Sequence, residues 1–146
     1  MKWQLLAIGK PKLPFAAAGI AEYLKRLRAF TRVEVDFLKS SEQEKESSAL
    51  LRRSEHTFRI VLDERGEELT SRELAARITC LEHSAAPVAA LLVGGADGHT
   101  AEVRRSADLL WSLSKLTLQH ELALLVAMEQ LYRAYTIKAG LPYHRD

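Results

Sequence analysis

Val88-Ala89-Ala90-Leu91-Leu92-Val93-Gly94-Gly95-Ala96-Asp97-Gly98 is the stretch on which the fold turns. Val88 to Val93 is a nearly unbroken apolar run, the pattern of a strand covered on both faces. Gly94 and Gly95 close it, and a helix is expected from about Thr100. Upstream, Phe58, Ile60, Val61 and Leu62 read as another strand, ending in the polar turn Asp63-Glu64-Arg65-Gly66. Thr70 with Glu73 forms a capping box, and Leu74, Ala75, Ile78 and Leu81 supply the buried face of the helix behind it. Cys80 lies in that helix and reads as a small, half-buried residue.

Nearer the start, Trp3, Leu5, Leu6, Ala7 and Ile8 form a short strand stopped by Gly9, with Pro11 and Pro14 marking a loop. Ile20, Tyr23, Leu24 and Leu27 fall at helical spacing, and Val33, Val35, Phe37 and Leu38 form the next strand. Ser41 and Glu44 predict a capping box opening a polar helix through about Ser54. Downstream, the apolar run Leu109 to Leu113 precedes a polar loop. A last helix runs from about His120 to Lys138, before Gly140 and Pro142. Strands alternating with helices in this rhythm predict an α/β domain with a mainly parallel sheet flanked by helices. There is no internal repeat and no long linker, so residues 1–146 are read as a single domain.

The chain has 146 residues, 47% hydrophobic and 27% charged, enough to bury one core and too apolar for a disordered chain. No run approaches the roughly 20 apolar residues that span a bilayer. Cys80 is the sole cysteine, which excludes an internal disulfide and a cysteine-based zinc cluster. The histidines and acids show no metal-ligand spacing, so no metal is expected. No membrane association is expected, and a cytoplasmic location follows from the lack of a signal-peptide pattern. The formal charge of +2 permits a polyanionic partner without predicting one, so RNA recognition would rest on local patches such as Lys10, Lys12, Lys25, Arg26 and Arg28.

In open parallel sheets, ligands bind beyond the carboxyl ends of strands. Three segments occupy such positions: Leu62 to Gly66, Gly94 to Gly98, and Leu113-Ser114-Lys115-Leu116-Thr117-Leu118. The glycine spacing G-G-x-x-G is neither a dinucleotide fingerprint nor a phosphate loop, which weighs against a flavodoxin-like nucleotide binder. Asp63 could be a general base or a turn residue, and His120 a polar cap at the last helix. Tyr143, His144, Arg145 and Asp146 close the chain with groups able to stack on a base and hold phosphate.

Taken together, these strings resemble one family. Leu91 to Gly98, Trp111 to Leu118, Glu129-Gln130-Leu131-Tyr132-Arg133-Ala134-Tyr135 and Pro142-Tyr143-His144-Arg145 are similar to the ribosomal RNA large-subunit methyltransferase H family, in order and along essentially the whole chain. The resemblance implies a SPOUT-type α/β knot with a C-terminal trefoil knot, a homodimer, and S-adenosylmethionine bound at Leu62, Gly94, Leu113, Ser114, Lys115, Leu116, Thr117 and Leu118. It implies methylation of N3 of a pseudouridine in 23S ribosomal RNA, with a preference for assembled ribosomes. Arg133, Tyr143, His144 and Arg145 are then the expected catalytic and substrate-binding residues, the tail coming from the opposite subunit. Family members commonly have proline where this chain has Gln119, which is expected to loosen the empty loop. The rival expectations are a knot methyltransferase acting on transfer RNA or another ribosomal RNA site, and a non-catalytic ribosome-binding knot protein.

Overall fold

A computed structural model describes residues 1–145; Asp146 lies outside the described residues. The chain runs β1 (Lys2–Ile8), α1 (Pro14–Leu27), β2 (Arg32–Leu38), α2 (Gln43–Arg53), β3 (Phe58–Glu68), α3 (Ser71–Glu82), β4 (Val88–Val93), α4 (Ala101–Arg105), β5 (Leu109–Ser112) and α5 (His120–Lys138). The strands form one five-stranded sheet in the order β2-β1-β4-β3-β5, and every pair is parallel. This is the mainly parallel, helix-flanked α/β architecture that the apolar rhythm predicts.

Alternation along the strands separates two cores. Trp3, Leu5, Ala7, Ala89, Leu91 and Val93 point to the face packed by α1, α3 and α5. Leu6, Ile8, Ala90 and Leu92 point to the opposite face, where Leu50 of α2 and Val103 of α4 cover them. β4, central and apolar on both sides, shows no alternation in sequence, because neither face is exposed. The α5 face is also tied by a buried polar bond, with Trp3 Nε1 donating to the Tyr135 hydroxyl at 2.8 Å.

Several local expectations need correction. The segment Asp63 to Gly66 does not end the third strand. β3 continues to Glu68 through a register shift, so that Leu62 and then Glu67 both pair with Trp111. Four polar residues at a bulge look like a turn in sequence, because both interrupt apolar alternation. Pro14 belongs to helix α1 rather than to the loop, in the first-turn position where its fixed φ suits the helix. The Ser41–Glu44 capping box does not form. α2 is capped by the backbone of Glu42, and Ser41 instead donates its N–H to Glu46 Oε2 at 3.0 Å. The Thr70 cap does form, accepting from the Glu73 N–H at 3.1 Å. Cys80 is exposed, not half-buried.

Candidate functional site

The strand order decides where the site falls. β4, β3 and β5 are consecutive neighbours, so the segments following Val93 and Ser112, and the bulge after Leu62, meet at one sheet edge. They wall a cleft of about 930 Å³, completed by the first turn of α2 and the first residues of α5. Of the residues expected to hold a cofactor, Leu62, Gly94, Leu113, Ser114, Leu116, Thr117 and Leu118 line it. Lys115 does not; it is exposed and lies outside the lining.

The loop after β5 is held in shape before any ligand arrives. Ser112 Oγ donates to the Ser114 carbonyl at 2.8 Å, and Ser114 Oγ accepts the Leu116 N–H at 3.0 Å. Thr117 Oγ1 donates to Glu64 Oε2, joining this loop to the β3 bulge. Leu116 is left 72% exposed, an apolar surface at the mouth of the cleft that a flat ring could cover. Gly94 is needed for a reason nearer home than ligand approach. A Cβ there would lie 3.1 Å from the Gly98 carbonyl carbon and 3.3 Å from the His99 ring, so the turn would have to give by a few tenths of an ångström. Gly98 adopts φ +70°, the left-handed conformation that glycine tolerates.

Gln119 caps α5. Its Oε1 accepts from the N–H groups of Glu121 and Leu122, at 2.8 and 3.0 Å, so His120 is the first helical residue rather than the cap. Proline at 119 could fix the backbone but could not offer this acceptor. Glu121 adds a tertiary tie. Its Oε1 accepts from the N–H of Leu13 at 3.0 Å and of Lys12 at 2.7 Å, and these bonds, Leu13's foremost, hold the carboxyl below the usual carboxylate range. Replacing Gln119 by alanine is expected to cost about 1 kcal/mol, as for other lost helix caps. Chemical denaturation should show it as a lower midpoint at unchanged slope, and an unchanged midpoint would refute the capping role.

Asp63 is not placed as a general base. Its side chain, 6% exposed, accepts the Arg65 N–H at 2.9 Å and faces the guanidinium groups of Arg65 and Arg104 at 3.7 and 3.8 Å. Gln43, which donates to the Asp97 carbonyl at 2.8 Å, and Arg104, which donates to the His99 carbonyl at 2.7 Å, brace the glycine turn from α2 and α4. Neither residue, nor His99, carries a sequence signal, since each reaches the cleft from a different element.

Arg133, Tyr143 and His144 gather elsewhere. Arg133 grips Glu129 Oε1 through Nε at 3.1 Å and Nη2 at 2.7 Å, while its Nη1 approaches His144 Nδ1 at 3.3 Å. Glu129 thereby raises the pKa of the guanidinium further. The Tyr143 ring lies under Arg133 at 4.7 Å and edge-on to Tyr132 at 4.8 Å, and its hydroxyl donates to Glu129 at 2.9 Å. Burial, with the neighbouring Tyr23 hydroxyl and Glu129, pushes the Tyr143 phenol well above its ordinary range, so it stays protonated. Arg145 is exposed at the end of the described chain. The cleft reaches Ala123 on α5, and Arg133 lies ten positions further on, about 15 Å along a helix rising 1.5 Å per residue. The expected catalytic group therefore stands well away from the cleft, toward the far end of the same helix.

No grouping of His, Cys, Asp and Glu suited to a metal ion occurs among the described residues. Among them also, no helix is long and apolar enough to cross a membrane.

A parallel sheet with a glycine-turned cleft at one edge and a long C-terminal helix is the framework of the SPOUT methyltransferases. The family model described as "Predicted SPOUT methyltransferase" matches residues 1–144, and the chain belongs to that family. Within it, the chain belongs with the ribosomal RNA large subunit methyltransferase H proteins. It is 48% identical over 145 residues to the one from Thermus thermophilus, covering 99% of each chain. It is 43% identical to that of Deinococcus radiodurans, again covering 99% of each. Two solved structures share the fold at low identity. A "probable methyltransferase" from Bordetella pertussis aligns at TM-score 0.60 and 15% identity, covering 92% of this chain and 96% of that one. A "probable methylase family protein" from Haemophilus influenzae aligns at TM-score 0.55 and 11% identity, covering 99% and 70%.

Proposed function

We propose that this chain, acting as one domain, transfers the methyl group of S-adenosylmethionine to N3 of a pseudouridine in 23S ribosomal RNA, on the assembled ribosome in the cytoplasm. The observation that carries the reading is the separation of the cleft from the Arg133–Tyr143–His144 cluster by about 15 Å of helix. One protomer holds both halves of a methyltransferase site but does not join them. A homodimer that lays the tail of one subunit over the cleft of the other completes two sites at once, as the symmetry of an isologous dimer requires. The names of the relatives supply the substrate class, and the C-terminal trefoil knot of this class is part of the same proposal.

The cleft fits the cofactor. Its volume suits a nucleoside with an amino-acid arm, and the glycine turn exposes main chain at its floor. Leu62, Leu116 and Leu118 offer apolar faces for the adenine, and the fixed loop from Leu113 to Leu118 offers backbone polar groups for its edge. S-adenosylmethionine supplies, when bound, a methyl group already activated on a sulfonium. What remains for the chain is to orient the base, exclude water and deal with the imide proton. In this reading Arg133, held rigid by Glu129, stabilises the negative charge that develops on the base. Tyr143, locked as a phenol, stacks or donates and takes no proton. His144 accepts the imide proton at Nδ1, which must first leave Arg133, since that guanidinium only donates. Arg145 holds phosphate.

The test is transfer of labelled methyl from S-adenosylmethionine to ribosomes lacking the modification, beside isolated large subunits and naked ribosomal RNA. Label at one pseudouridine of 23S RNA, strongest on whole ribosomes, is the expected result. Label on transfer RNA or at another ribosomal position would replace the substrate, and binding without transfer to any RNA would leave a scaffold protein.

A further inference from the structure

His99 follows the glycine turn and is 6% exposed, yet it lines the cofactor cleft. Its Nε2 lies 3.3 Å from the Leu92 carbonyl. A carbonyl only accepts, so Nε2 carries the proton and Nδ1 presents a lone pair. Burial lowers the ring's pKa against the opposing charge of Asp63, so the imidazole is neutral. Among the described residues, Nδ1 is the one buried side-chain polar atom with no hydrogen-bond partner. Such an orphan is costly, and each one in a folded protein calls for a functional role or a partner from outside the chain.

The surroundings limit what that partner is. The ring packs against Gly94, and the His99 carbonyl is tied by Arg104, whose guanidinium also faces Asp63. The carboxylates lining the cleft, Glu44, Asp63, Glu64 and Asp97, outnumber its guanidiniums, Arg65 and Arg104, so a cationic group such as an amino-acid ammonium has better partners there than a neutral ring nitrogen. A neutral O–H or N–H donor suits it. We propose that His99 is a cofactor-positioning residue whose Nδ1 accepts a hydrogen bond from a neutral donor of the adenosine moiety, a ribose hydroxyl or the ring amine. Gly98, at φ +70°, makes the turn that places His99 against the cleft. This rests on the reading of the cleft as an S-adenosylmethionine site.

Nitrogen NMR of the labelled histidines, run beside calorimetry, tests it on the full chain. On addition of S-adenosylhomocysteine, the His99 Nδ1 resonance should move upfield, as a lone pair that gains a donor does. Saturating adenosine should produce the same shift and methionine should not. Calorimetric binding of S-adenosylhomocysteine with an unmoved Nδ1 would overturn the assignment. So would a hydrogen-bonded Nδ1 in the ligand-free protein, which would make an ordered water the partner. No calorimetric binding at all would overturn the cofactor reading, and the assignment with it.

Two substitutions separate the nitrogens. His99→Gln keeps a donor near Nε2 and leaves nothing at Nδ1; it should weaken S-adenosylhomocysteine binding about tenfold, the scale of one buried hydrogen bond, with little change in Tm. His99→Asn offers an oxygen at Nδ1 and gives up the Leu92 bond; it should lower Tm and hold affinity better. A purely structural histidine would make Tm and affinity fall in parallel in both variants.

Discussion

Arg133→Ala is expected to lower methyl transfer by about 100- to 1,000-fold, the range seen when a donor to a developing anion is removed. Binding of S-adenosylhomocysteine should be unchanged, because the cleft lies at the far end of α5. Arg133→Lys should recover little. A lysine cannot reproduce the two-pronged grip on Glu129 while presenting a third N–H toward His144. The removed guanidinium also takes two hydrogen bonds from Glu129, which keeps those of Tyr143 and Gln130, so thermal stability must be checked alongside turnover. A mixing experiment then reads the architecture. Arg133→Ala is combined with Gly94→Leu, whose side chain would strike the Gly98 peptide and the His99 ring and so disable the cleft. If the site is shared between subunits, each mixed dimer keeps one intact pair of halves. Random exchange should then restore about a quarter of normal activity, half the dimers being mixed with one good site in two. No recovery, with exchange demonstrated, would place both halves in one subunit and sink the composite-site proposal.

Gly66→Ala is the substitution expected to damage the fold most for its size. A Cβ at position 66 would sit 2.5 Å from the Leu110 carbonyl oxygen, 2.6 Å from its carbon and 2.8 Å from the Trp111 nitrogen. All of these are main-chain atoms of β5, so no rotamer change relieves the clash. Either β3 and β5 part at the bulge or the bulge is rebuilt. The cost should be about 3 kcal/mol, the upper end for forcing extra atoms into packed structure. For a chain of this length that corresponds to a fall in Tm of about 6–12 °C. Affinity for S-adenosylhomocysteine should fall with it, because Asp63, Glu64 and Arg65 of the same bulge line the cleft. Arg65→Ala, beside it and exposed, is the control that should change Tm little. A stable Gly66→Ala protein with normal affinity would show that the close β3–β5 approach is not required.

Strand and helix placement was legible from periodicity because the period reports burial directly. β4 shows this best: covered on both faces, it reads as unbroken Val, Ala and Leu. The α3 cap was legible because Thr70 and Glu73 act locally, within one turn. The loops expected to hold a cofactor came from resemblance, and one cleft gathers all of those residues except Lys115. The failures have a common cause. Asp63 to Gly66 is polar whether it turns the chain or bulges beside β5, and only the position of β5 distinguishes the two. Ser41 and Glu44 have the spacing of a capping box, but Glu46, buried beneath Gly95, takes the Ser41 N–H instead.

By itself, then, the sequence determined the α/β alternation, the two-faced burial of the central strand, the Thr70 cap and the family. Each of these depends on residues near one another along the chain. The tertiary structure alone decided that β4, β3 and β5 are neighbours, which turns three separate loops into one cleft. It decided that His99, Arg104 and Gln43 gather at that cleft, and that Arg133 stands well along α5 from it. These are matters of strand order and of distance along α5, which depend on long-range packing and leave no periodic trace in the chain.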